Sequence, residues 1–317
     1  MFSTKKKHSK PFLNRDIISI NDFNRDEIIT VLEAAKKIER LSEQKKKKLL
    51  EGKVISTLFF EPSTRTRLSF ESAALQLGGK IVGFADPRSS SQTKGESLHD
   101  TIKMIEHYAD VIVMRHPLEG AARAAAENTD KVVVNAGDGA NQHPTQTFLD
   151  LYTIKKTQKN ISGLQVALVG DLKYGRTVHS LAIALSHFGV TLFFVSPEEL
   201  KMPASICEEL KRKGIPFSEK KRLQEVLPFV DVLYVTRIQK ERFPDPLEYN
   251  RVKDAYILKK DMLSNVKKNL CILHPLPRVN EINTDVDSTV HAHYFKQAGN
   301  GIPVRQALLA LVTGALR

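Results

Sequence analysis

Short apolar runs alternate with stretches of helical spacing along most of the chain. Val54–Phe60 reads as a buried strand, and Arg65–Leu77 as a helix with Leu68, Ser72 and Leu75 on one face, ended by Gly78 and Gly79. Lys80–Phe84 is a second strand. Glu96–Tyr108 follows as a helix with Leu98, Ile102 and Ile105 at i, i+4 and i+7, and Val111–Arg115 and Val132–Asn135 are further strands. After the turn-rich stretch 136–141, Pro144 opens a long helix to about Gln158 with Phe148 and Leu151 inward. The alternation restarts with strand Gln165–Val169, helix Thr177–Phe188, strand Thr191–Val195, helix Ser205–Lys213 and strands Val232–Thr236 and Leu270–His274. A last helix, about Val304–Leu316, is so apolar that it needs a surface to bury against, and a return to the first half supplies one.

Repeated strand–helix units predict an α/β protein of two domains, each a parallel sheet flanked by helices, with the C-terminal helix returning to the first. The 317 residues suit about two domains. The expected division is residues 1–144 plus 301–317 against 145–300. Hydrophobic residues at 41% and charged residues at 26% exclude a disordered chain, and no apolar run reaches membrane-spanning length. Cys207 and Cys271 are too few for a disulfide framework, and no apolar signal core follows the basic N-terminus, so a reduced, cytoplasmic protein is expected. The net charge of +12 favours anionic partners. Half of it lies in residues 1–50, largely in the lysine runs 5–7 and 45–48, which read as a frayed tail and a solvated helix end. Without tryptophan, zinc spacing or an aromatic RNA-binding signature, nucleic acid is not the expected partner.

In parallel sheets ligands gather at the carboxyl ends of strands. Those ends carry Glu61–Arg67, Arg115-His116-Pro117, Gln142–Gln146, Gly170–Thr177, Thr236–Gln239 and His274–Arg278, a concentration of arginine, histidine and hydroxyl groups that stability does not require. Ser63-Thr64-Arg65-Thr66 sits at a helix start, where unpaired N–H groups and the dipole favour a phosphate; a simple N-cap is the structural alternative. Lys94 lies in a Ser- and Gly-rich loop and is either a surface lysine or part of an anion lid. His143 precedes a helix that disfavours a cation, so it is either a neutral imidazole donating to a carbonyl oxygen or a satisfied loop histidine. Gly170–Thr177 narrowly misses a nucleotide-binding P-loop because Arg176 replaces the lysine; Arg176 suits a carboxylate or an internal acid such as Glu61. His291 and His293 have no usefully spaced third ligand, and no nucleophile elbow or Cys–His pair occurs, so neither a metal site nor nucleophilic catalysis is expected.

The runs Phe59–Phe70, Met114–Arg123, Asn135–Asp150, Val169–Ser180, Thr236–Arg242 and His274–Arg278 resemble, in order, those of the aspartate carbamoyltransferase catalytic chains. The resemblance runs from about Arg15 to the C-terminus. Ornithine carbamoyltransferases share the Ser-Thr-Arg-Thr-Arg and His-Pro-x-x-Gln runs but carry cysteine where this chain has Pro275. That difference and Thr236-Arg237-Ile238-Gln239 point to aspartate. Residues 1–14 form a basic extension with no counterpart.

The resemblance implies transfer of a carbamoyl group from carbamoyl phosphate to the amine of L-aspartate, in pyrimidine biosynthesis, without a cofactor. It implies that Ser63, Thr64, Arg65 and Thr66 bind the phosphate, that Arg115 touches the phosphate and the carbonyl oxygen, which His143 and Thr66 also polarise, and that Gln146 holds the carbamoyl nitrogen. Arg176, Thr177, Arg237 and Gln239 would hold the aspartate carboxylates, with the carbonyls of Pro275 and Leu276 on its amine. Ser90 and Lys94 would reach into the neighbouring subunit's site, making a homotrimer the minimal unit. Glu61, Arg176, Arg242, Glu248 and Tyr249 would lock a closure of the two domains. A separate regulatory chain follows from closeness to the bacterial type that has one. The same fold acting on ornithine or an N-acetylated amine, a non-catalytic binding module, and a basic nucleic-acid binder are the alternatives, in that order.

Overall fold

Two all-parallel sheets organise the chain. They are seen in a computed structural model that describes residues 12–316 apart from 87, 89, 239–244, 253 and 254, with the main chain alone at 92, 246 and 248. One compact unit runs to Phe148 and resumes at Gly301, and the other is Leu149–Asn300. The division falls inside a helix, four residues beyond the expected 144/145 boundary.

The first unit begins with α1 (Arg25–Glu39) and α2 (Glu43–Lys47). Asn24 and Glu27 exchange side-chain and backbone hydrogen bonds in a capping box that starts α1, whose Ile28, Val31, Leu32, Ala35 and Ile38 are buried. Then come β1 (Val54–Phe59), α3 (Thr64–Gln76), β2 (Lys80–Phe84), α4 (Leu98–Ile105), β3 (Val111–His116), α5 (Ala121–Glu127), β4 (Val132–Asp138) and the start of α6 (Pro144–Gln158). Strand order is β2-β1-β3-β4. Ile55, Leu58, Phe59, Ile112, Val113, Met114, Val133 and Val134 fill the middle of the sheet. Such continuous apolar runs are what strands covered on both faces require.

The second unit holds the rest of α6, then β5 (Gln165–Val169), α7 (Arg176–Ser186), β6 (Thr191–Val195), α8 (Ala204–Arg212), β7 (Phe217–Lys220), β8 (Val232–Val235), α9 (Pro246–Val252), β9 (Cys271–Leu273) and α10 (Tyr294–Gly299). Strand order is β7-β6-β5-β8-β9. The final helix, α11 (Gly301–Val312), is buried along its length against α1 and α3 of the first unit, as its apolar sequence demands. Its one arginine, Arg305, lies over the Phe70 ring and donates to the Ser69 hydroxyl at 2.7 Å, so a buried cation is both stacked and hydrogen-bonded.

Two local expectations change. The core face of α3 is Thr66, Phe70, Ala73 and Ala74, whereas Leu68 and Leu75 point outward at 49% and 58% exposure. Strand β7 carries no sequence signal because its Phe-Ser-Glu-Lys segment, on an edge, has no apolar run. No described helix is long and apolar enough to cross a membrane.

Candidate active site

Each sheet has a point where its connections reverse direction. In the first, the chain steps from β1 outward to β2 and then back to β3, so the reversal lies between β1 and β3. In the second it lies between β5 and β8. Diverging connections leave a crevice beyond the strand ends at such points. Ser63–Thr66 and Arg115 sit at the first of these places and Arg176, Thr177 and Arg237 at the second; His143 and Gln146 follow β4, Pro275 and Leu276 follow β9, and Ser90 and Lys94 lie beyond β2.

At the first, Ser63–Thr66 follow β1. Ser63 occupies the N-cap of α3 in extended conformation, yet its side chain makes no capping hydrogen bond. The Ser63 side chain therefore does not cap the helix, a 13-residue one whose positive N-terminal end faces this place. Thr66 is buried while Thr64 and Arg65 are exposed. Arg67 turns away, pairing with Glu71 at 3.2 Å, and Glu71 also accepts the Thr57 hydroxyl.

Arg115, at the end of β3, is 12% exposed and forms an ion pair with Glu61 at 3.0 Å. Its Nη1 also donates to the Ala136 carbonyl at 3.4 Å. The guanidinium is thus stretched between the ends of neighbouring strands with one acid beside it. Glu61, expected as a partner of Arg176 and a closure residue, is engaged with Arg115.

His143 is buried at the start of α6, where its carbonyl accepts the N–H groups of Gln146 and Thr147. Its Nδ1 lies 3.5 Å from the Thr145 hydroxyl. The turn that delivers it is knitted by buried polar groups that the sequence shows only as turn formers. Asn135 Nδ2 donates to Asp138 and to the Ile18 carbonyl, and Asp138 accepts the N–H groups of Gly120 and Gln142. Gln146, half-buried, lies in the first turn of the helix. Beside this turn His116 is buried; its Nδ1 accepts the Leu118 N–H, and burial pulls its pKa below the ordinary imidazole value.

At the second reversal, Gly170 follows directly on β5. Its φ of +109° and a would-be Cβ only 2.3 Å from the Thr236 carbonyl admit no side chain. The close approach lets the Thr236 hydroxyl donate to Val169 O at 3.0 Å, joining the ends of β5 and β8. Arg176 and Thr177, both half-buried, open α7 on one side of this junction, and Arg237 leaves β8 on the other. His179, one turn into α7, hydrogen-bonds the Leu172 carbonyl at 2.7 Å and tethers the 170–175 loop.

After β9, His274 is 1% exposed. Its Nδ1 accepts the Leu276 N–H at 2.8 Å, so its Nε2 is the donor to Glu281 at 2.6 Å. Burial lowers the His274 pKa, and a neutral ring is also what an accepting Nδ1 requires. In Glu281 burial is the largest influence and pushes upward, but the hydrogen bond from His274, the coulombic attraction to that ring and the backbone N–H groups together outweigh it, and the pKa sits below the carboxylate norm. Leu276 is held at φ +55°, in the left-handed region. Arg278, at a strand end rich in candidates, is tied to Asp287 and Tyr294.

Ser90 and Lys94 lie beyond the edge strand β2, with Lys94 exposed. Tyr249 is half-buried on α9. Gln239 and Arg242 lie outside the described residues, as does the side chain of Glu248.

Comparison with known proteins finds two family descriptions in chain order. The carbamoyl-phosphate-binding domain of aspartate/ornithine carbamoyltransferases matches residues 15–156, and the Asp/Orn-binding domain matches residues 162–312. The aspartate carbamoyltransferase catalytic subunit of Methanopyrus kandleri is 56% identical over 96% of this chain and 98% of its own. That of Bacteroides fragilis is 56% identical over 95% and 97%. The solved catalytic subunit of M. jannaschii aspartate transcarbamoylase superposes with a TM-score of 0.87 at 55% identity, covering 93% of this chain and 97% of the other. The Trypanosoma cruzi enzyme, solved in complex with carbamoyl phosphate and aspartate, reaches 0.88 at 37% identity over 95% and 97%.

Proposed function

This chain belongs to the aspartate/ornithine carbamoyltransferase family, and from that premise we propose how its residues divide the work of one reaction. The chain transfers the carbamoyl group of carbamoyl phosphate to the amine of L-aspartate, giving N-carbamoyl-L-aspartate and phosphate in de novo pyrimidine biosynthesis.

The first unit is the carbamoyl-phosphate domain. The phosphate takes the α3 N-terminus with Ser63, Thr64, Arg65 and Thr66. Arg115, Thr66 and His143 donate to the carbonyl oxygen, and Gln146 holds the carbamoyl nitrogen. The second unit is the aspartate domain, where Arg176, Thr177, Arg237 and Gln239 hold two carboxylates and the Pro275 and Leu276 carbonyls accept from the amine. The amine attacks the carbamoyl carbon, charge builds on its oxygen, and the bond to phosphate breaks. Two anions must be held together against repulsion, which cations achieve, and the developing oxyanion must be met by donors already in place. The observation that carries this reading is the placement of hydroxyl and arginine groups at both sheet reversals.

A homotrimer with shared sites accounts for otherwise odd surface. Leu68 and Leu75 on α3, Val82 on the edge strand, and Met104 and Tyr108 around the end of α4 are all between 39% and 58% exposed in a single chain. Apolar exposure of this kind marks a partner surface. The loop bearing Ser90 and Lys94 leaves the same edge strand, which supports its reaching an adjoining protomer. A cytoplasmic location, a separate regulatory chain, and closure through Glu61, Arg176, Arg242, Glu248 and Tyr249 complete the reading.

The test is a colorimetric assay of carbamoyl-amino-acid formation by the purified chain, offered aspartate, ornithine and N-acetylated amines, with native mass measured alongside. Product from aspartate alone and a three-chain mass are expected. Preference for another amine would overturn the substrate assignment, and an active monomer would overturn the shared site.

A further inference from the structure

The second unit contains a buried polar relay that the reaction itself does not use. The Asp150 carboxylate, on α6, is fully buried. It accepts the Tyr234 hydroxyl at 2.8 Å and the Gln297 side-chain amide at 2.6 Å. The other end of that amide, Gln297 Oε1, accepts the His274 backbone N–H at 2.8 Å. His274 in turn receives the Leu276 N–H and donates to Glu281, which also accepts the Val279 N–H at 3.2 Å. Gln297 and His274 are each 1% exposed and Glu281 5%.

The relay has a direction. The His274 N–H can only donate, so it fixes the Gln297 oxygen toward itself and leaves the Gln297 NH2 to face the Asp150 carboxylate. The far end of the relay is a backbone that needs holding, because a leucine at φ +55° is disfavoured relative to the right-handed and extended regions. Tyr234 lies on β8, three residues before Arg237, so one carboxylate reaches both the strand that carries an arginine and the loop after β9.

We infer that Asp150 and Gln297 are positioning residues for aspartate, fixing the His274–Leu276 main chain through a hydrogen-bond relay of set polarity. This rests on the reading of Pro275 and Leu276 as the groups that meet the substrate amine. Neither Asp150 nor Gln297 touches substrate in that reading, and neither is singled out by the sequence, since 147 residues separate them.

Exchanging the two groups tests the polarity. In Asp150→Asn the amide oxygen can face only one of the two donors: facing Gln297 it turns its NH2 on Tyr234, whose hydroxyl must then swing round to accept instead of donate, and facing Tyr234 it turns Gln297 over and presents a donor to the His274 N–H. In Gln297→Glu two buried carboxylates face each other. The double variant Asp150→Asn/Gln297→Glu swaps amide and carboxylate. The carboxylate then at position 297 accepts from the amide at position 150 and from the His274 N–H. The oxygen of that amide accepts from the Tyr234 hydroxyl, so each of these donors again meets an acceptor.

Steady-state transfer to aspartate at saturating carbamoyl phosphate, with carbamoyl phosphate affinity measured separately by calorimetry, reads the result. Each single change is expected to raise the aspartate KM about 10-fold, the effect of one misdirected buried hydrogen bond, at unchanged carbamoyl phosphate affinity. The double variant is expected to recover to within about threefold of the parent. Tyr234→Phe, a milder loss of one donor to Asp150, should raise the aspartate KM about threefold and supplies the answer if a single variant fails to fold. An unchanged aspartate KM in Tyr234→Phe or in a folded single variant, a double variant no better than the worse single, or parallel loss of carbamoyl phosphate affinity would overturn the inference. If the parent chain itself fails to carbamoylate aspartate, the site reading falls first and the inference with it; intact parent activity with silent variants removes the inference alone.

Discussion

Individual side chains in this protein are specialised by what lies within a few ångströms of them. Arg115 is paired with Glu61 and the Ala136 carbonyl at a strand end, which suits it to the role proposed for it. Arg278 and Arg67, equally prominent in the sequence, are committed to Asp287 and Glu71. Replacing Arg115 by Ala is expected to remove about 3–4 kcal/mol of transition-state stabilisation, in line with the loss of one oxyanion donor. Near-normal kcat with an unchanged circular dichroism spectrum would contradict its role. Arg237→Ala should raise the aspartate KM by about 1.5–3 kcal/mol in binding terms, the range for a charge-assisted hydrogen bond, and leave carbamoyl phosphate binding intact. Calorimetric titration of both ligands checks the split. The arginines were legible in the sequence because parallel strands deliver ligands to their carboxyl ends. Gln297 was not, because the chain brings its partner Asp150 near from 147 residues away, and Asp138 and Glu281 were not, because turn carboxylates bonded to residues a few positions away leave no periodic signal.

Elements set which of those residues can meet. Strands β1, β3, β5 and β8 were readable as apolar runs because helices cover both faces of their sheets. Helices α9 and α10, at seven and six residues, are too short to declare a helical period. The outward face of α3 was visible as a stripe but not as exposed, since a stripe does not say what covers it. Leu68→Asp and Leu75→Asp, each placing a charge on that face, are expected to leave the monomer folded and shift the native mass from three chains to one. An unchanged mass by light scattering would remove this face from the seam. Gly170→Ala tests the junction of β5 and β8. Its Cβ has no room against Thr236 and its φ is unsuited to alanine, so a loss of about 1–3 kcal/mol is expected in urea denaturation, together with a raised aspartate KM. Full stability would mean that the two strand ends separate freely.

At the scale of the whole molecule, charge and burial make stability depend on pH. Burial holds His116, His179, His187, His274 and His293 below the ordinary imidazole value. The unfolded chain therefore takes up protons near pH 6.5 that the folded chain refuses, so stability present above that pH is lost as pH falls through the lower folded values. The urea midpoint should be lower at pH 5.5 than at pH 7.5, and an equal or higher midpoint at pH 5.5 would contradict the burial of these rings. Assembly is the other property of the whole, and it bears on the central proposal that each site is built by two chains. Lys94→Ala and Arg115→Ala each disable one contribution. Co-expressed with different tags, they form mixed trimers in which about one site in three draws an intact Arg115 from one chain and an intact Lys94 from its neighbour, by the symmetry of a cyclic trimer. Purified mixed trimers should regain about that fraction of parental activity; activity no greater than that of the two separate variants would show that each chain completes its own site.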